Sequence, residues 1–176
     1  MADSKKRSLP HLISSEDNPD KSVVTTFDNL FLLSLYYASK HPDDFKHKID
    51  PATDEVYFKL GSILNYTYSL VSNDSAYKQH SSDTPIRYKD SAEHNIAWSA
   101  TRMYKAGMTT KLTDVYPKAS RGYHRILPVG LTYLGMFVTD FINNKINLDI
   151  VNEIALDEFE KFYNESEYGR KMFYEK

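Results

Sequence analysis

The sequence predicts an all-α fold, a single-domain bundle of about five helices with a flexible N-terminal arm. Three observations predict it. Five segments repeat their apolar residues at helical spacing. Each of those segments carries a start or stop signal of its own. Six glycines in 176 residues are few for a turn-rich β fold. We divide the chain into an arm, 1–22, and one helical domain, 23–176.

The arm is polar, mixed in charge and carries Pro10 and Pro19. The first helix is expected from about Thr26 to His41. Thr25 or Thr26 supplies the cap and Asp28 suits the first turn. Phe27, Leu30, Phe31, Leu33 and Tyr37 cover nearly every face, which suits a central helix. Pro42 stops it. The second helix is expected to open at Asp50, with Pro51 at its first position. Val56, Leu60, Ile63, Leu64, Thr67 and Val71 then form one apolar stripe. Residues 73–89 make a long polar connection.

The third helix carries a capping box, Asp90 with Glu93, and ends at Gly107. Ile96, Ala97, Ala100, Met103 and Tyr104 form its buried face. Residues 108–127 hold no strong period. The fourth helix starts near Pro128 and ends near Asn143; its apolar character predicts a central place beside the first. The fifth starts near Asn147, with Val151, Ala155, Phe159 and Phe162 on its core stripe and Gly169 at its end.

Composition sets the outer bounds. The chain has no cysteine, so disulfides, cysteine zinc sites and thiol catalysis are excluded, and a reducing, cytoplasmic setting is expected. The longest apolar run, Ile126 to Thr139, covers 14 residues, short of the about 20 that a membrane helix needs. The glycines form no phosphate-binding or dinucleotide loop, and no cofactor is expected. His41, Asp43, Asp44, His47, Asp50 and Asp54 have no metal-ligand spacing, so no metal is expected either.

Charge is distributed unevenly. Residues 102–125 hold Arg102, Lys105, Lys111, Lys118, Arg121 and Arg125 against the single Asp114, a local net of +5 in a chain of net −2. Tyr104, Tyr116, Tyr123 and His124 lie among them. Cations neutralise phosphates and tyrosine rings stack on bases. The candidate binding residues are therefore Arg102, Lys105, Lys111, Lys118, Arg121, Tyr123, His124 and Arg125. The bland alternative is a solvated loop that pairs with the protein's own acidic helix. That helix, 147–167, carries Asp149, Glu153, Asp157, Glu158, Glu160, Glu165 and Glu167, and is itself a candidate surface for a basic partner.

Arg87 and His94 bracket six residues in the stretch RYKDSAEH. This spacing resembles the Arg-x4–6-His motif of HEPN ribonucleases, helical proteins that work as dimers. The resemblance covers those eight residues. It implies a metal-independent ribonuclease in which Arg87 and His94 share activation of the ribose 2′-hydroxyl and stabilisation of the phosphate across a homodimer. The leading expectation is different: a non-enzymatic binding or regulatory protein that occupies a protein or nucleoprotein partner. A phage or mobile-element accessory protein acting on a host nucleoprotein is one such case. A helical transcription regulator that binds nucleic acid is another.

Overall fold

The computed structural model describes residues 19–142 and 154–165. The all-α expectation is overturned. Among the described residues six helices accompany a four-stranded antiparallel sheet, so the protein is a mixed α/β fold and not a helical bundle.

The elements run α1 Pro19–Lys40, β1 His47–Ile49, β2 Val56–Lys59, α2 Leu60–Ser69, α3 Ser91–Lys105, β3 Thr109–Lys111, α4 Leu112–Val115, β4 Tyr123–Ile126, α5 Pro128–Ile142 and α6 Ile154–Glu165. Short 3-10 turns cover Pro42–Asp44 and Ala76–Lys78. The strand order is β1-β2-β4-β3.

Helix α1 is the hub. Phe27, Leu30, Phe31, Leu32, Leu33 and Leu35 are all buried, and α1 packs on α2, α3, α5 and α6. It begins at Pro19, earlier than Thr26, so 19–22 belong to the helix and not to an arm. The rest of the proposed arm, 1–18, lies outside the described residues. Helix α3 keeps its expected bounds. Asp90 Oδ1 accepts from Glu93 N at 2.9 Å, Glu93 Oε1 accepts from Lys89 N at 2.8 Å, and Gly107 closes the end at φ +80°. Helix α5 is peripheral, not central: it buries Tyr133, Leu134 and Phe137 but exposes Val129 and Met136. Helix α6 buries Ala155, Phe159 and Tyr163. Asn147, Val151 and Gly169, expected at its start, on its core stripe and at its end, lie outside the described residues.

The sheet replaces the front of the expected second helix. Asp50 caps no helix. Its Oδ1 accepts from Ala52 N at 2.9 Å, Asp50 N donates to Glu55 O at 2.8 Å, and Asp54 takes φ +64°. That is an Asx-stabilised hairpin joining β1 to β2. Aspartate followed by proline serves a hairpin as readily as a helix start. Strand β2 pairs Phe58 with His124, and β4 pairs His124 with Lys111 and Ile126 with Thr109.

These registers sort the side chains by face. Phe58 and Ile126 turn to the helices and join the main core. Tyr57 and Tyr123 turn the other way and meet Leu112 and Ala119 in a small second core. With both faces of β2 covered, Tyr57 and Phe58 are both buried, and no polar–apolar alternation marks the strand.

Candidate functional site

A cleft of about 670 Å³ opens between α3 and the helix-facing side of the sheet. Leu60, Ala97 and Ala100 form its apolar floor. Lys105, Lys111, Arg121 and His124 bring charge and polarity to it, with Tyr104, Thr101 and Thr113 beside them. Four of the eight residues singled out by charge therefore converge, from α3, β3, the 116–122 loop and β4. The register does this: His124 and Lys111 are direct cross-strand partners, so both point to the cleft.

Lys111 Nζ sits 4.1 Å from the centroid of the Tyr104 ring. Tyr104 donates its hydroxyl to Asp114 at 2.9 Å, and Asp114 also accepts from Lys111 N at 3.1 Å. Burial raises the Asp114 pKa, but the Lys111 amide, the Tyr104 hydroxyl and Thr110 outweigh it and hold the carboxyl below its usual range. The loop is fixed by Lys59, whose Nζ donates to Arg121 O at 3.0 Å, and by Gly122 at φ +83°.

His124 is the unusual group. It is 4% exposed, and its Nδ1 is buried without a hydrogen-bond partner. Burial, then the Lys111 charge, push its pKa down to about 4 against a weaker opposing pull from Asp114. It is therefore neutral at pH 7, and a neutral imidazole has one nitrogen able to donate and one able to accept.

The other four residues go elsewhere. Arg102 grips the fully buried Asp28 of α1, with Nη2 at 2.9 Å and Nε at 3.0 Å from Oδ1, and is a structural clamp. Arg125 lies on the opposite side of the sheet, 3.2 Å from Glu55 and over the Tyr57 ring. Tyr123 is buried there, with Lys48 and Lys59 over its ring, so it offers no stacking platform. Lys118 is exposed outside the cleft lining.

Arg87 and His94 each pack on the Tyr88 ring, the guanidinium carbon 4.9 Å from its centroid and the imidazole centroid also 4.9 Å away. His94 Nε2 accepts from the Trp98 indole at 3.0 Å, so that ring nitrogen is already engaged. Arg87 instead lines a second pocket of about 370 Å³ with Tyr68, Tyr88, Lys89, Glu93 and Ala97.

In the acidic helix, Glu158 pairs with His41 at 3.0 Å and Asp157 is exposed. Asp149, Glu153 and Glu167 lie outside the described side chains. Among the described residues the basic segment meets Asp28 and Glu55 from elsewhere in the chain and Asp114 from within itself. Among the described residues no three His, Cys, Asp or Glu side chains gather as a metal site would, and no helix is long and apolar enough to cross a membrane.

Sequence reasoning overlooked the floor. Helical spacing places Ala97 and Ala100 on the buried face of α3; Ala100 is buried there, but Ala97 is only partly covered. Two small residues three apart on an otherwise bulky face were the available sign of a groove. No protein-family model matches this chain, and no curated protein or solved structure matches it.

Proposed function

We propose that the protein is a non-enzymatic binding protein that seats a phosphate-bearing nucleic-acid strand in the cleft. In this reading it regulates a cytoplasmic nucleoprotein by occupying its nucleic acid. One observation carries the reading: Lys105, Lys111 and Arg121, from a helix, a strand and a loop, line one cleft over an apolar floor beside a neutral imidazole. The cations suit phosphates. The floor and Tyr104 suit a base or sugar. A volume of about 670 Å³ falls in the range of small-ligand sites.

A binding role fits His124 better than a chemical one. Nothing hydrogen-bonds its Nδ1, so no carboxylate orients the ring as a general base requires. The test is anisotropy of a labelled single-stranded oligonucleotide against the K105A/K111A/R121A variant. Affinity should fall at least tenfold, and the slope of log K on log salt should shrink by about 2, the share of three phosphate contacts on a single strand. A variant that binds like the wild type would refute the reading.

A further inference from the structure

The two pockets are one track. Ala97 lines both, and the neighbours Leu60 and Gly61 line one each. Glu93, Ala97, Ala100 and Tyr104 lie in sequence at i, i+4, i+7 and i+11, a single face of α3 that runs from the second pocket into the first. From Glu93 to Lys105 that face is roughly 18 Å long at the α-helical rise. Cations sit at both ends, with Arg87 and Lys89 at one and Lys105, Lys111 and Arg121 at the other. The lining holds one acid, Glu93, and its Oε1 already accepts from Lys89 N at 2.8 Å. Aromatic rings stand beside each group of cations: Tyr88 and Tyr68 at one end, Tyr104 at the other.

We infer that this track holds an extended single strand of about four nucleotides, at the small end of single-strand sites, and not an isolated nucleotide. The inference rests on the cleft reading above and adds the second pocket to it. A strand is favoured over an acidic peptide by the partly apolar floor and by the pairing of rings with cations: Lys111 lies over Tyr104 and Arg87 over Tyr88, so a phosphate that draws the cation away opens a ring face to a base, whereas carboxylates alone would need only the charge. A duplex is disfavoured by the groove's enclosure, between α3 and the sheet at one end and between α3 and α2 at the other.

Oligothymidylates of one to eight nucleotides carrying a fluorescent label are titrated with the protein while their anisotropy is followed. Affinity should climb at least tenfold up to about four nucleotides and then level off. In the R87A/K89A variant the climb should vanish, and the salt slope should drop by about 1.4 for two lost phosphate contacts. Arg87→Ala alone, at an exposed position, should give half that drop and serves if Lys89→Ala disturbs the fold, because Lys89 also covers the Tyr68 ring. A double variant that keeps the climb, while the K105A/K111A/R121A variant loses binding, would overturn the extended track and leave the cleft. A triple variant that binds normally would overturn the cleft itself. Displacement by polyglutamate as effective as by oligothymidylate would overturn the strand.

Discussion

Arg102 and Lys105 stand less than one helical turn apart on α3, carry the same charge and have opposite fates. Arg102 turns inward to a carboxylate that is fully buried. Lys105 is exposed on the rim of the cleft. The same division runs through the sheet, where His124 faces the cleft and its neighbours Tyr123 and Arg125 face away. A run of positive charge is therefore two populations. One holds the fold together and the other is left for a partner. Burial, not charge, tells them apart.

That division can be broken at its strongest point. Arg102→Ala takes the guanidinium away from the fully buried Asp28 carboxylate, and should cost about 3 kcal/mol in urea unfolding. A loss below about 1 kcal/mol would mean that Arg102 is no clamp.

His124 comes next, and its effect depends on pH. Its folded pKa, about 4, lies below the ordinary histidine value of 6.5, so the unfolded chain takes up the proton first. Stability should hold above pH 6.5 and fall as pH drops towards 4, by at most about 3 kcal/mol from this group. His124→Gln should flatten that part of the pH–stability curve. An unchanged slope in the variant would place the titration elsewhere.

Arg125→Ala should cost about 1 kcal/mol, from a half-exposed pair with Glu55 and the lost cover over Tyr57. It should leave oligonucleotide affinity within twofold, because it lies on the far side of the sheet. A larger loss of affinity would merge the two faces. The smallest effect belongs to Lys118→Ala, within about 0.5 kcal/mol of wild type by thermal melt and with little change in binding.

Helix α3 was fully legible, because Asp90, Glu93 and Gly107 are local signals that tertiary context has no reason to override. The sheet was not. Its strands have three or four residues, too few to display a period of two. Val56 and Leu60 are four apart, so a strand residue and a helix residue counterfeit one helical stripe. The basic segment was visible as charge, and half of it does line the cleft. Which half depended on parity. Tyr123 and His124 are adjacent in a strand and must face opposite ways, but only pairing with Lys59 and Phe58 decides which is which. The second pocket's contribution was hidden in the polar 73–89 connection, where Arg87 and Lys89 flank Tyr88 without any periodic mark.

The two outermost strands of the sheet, β1 and β3, are each three residues long. An exposed strand edge is a template on which a second molecule can add a strand of its own. Edges this brief offer few unpaired amide and carbonyl groups, and Lys48 and Lys111 place a charge on each of them. Two copies brought together edge to edge would gain little hydrogen bonding and would set like charges side by side. The sheet is thus guarded against the runaway pairing that leads to fibres, and crowding such as a high expression level should not drive association through it.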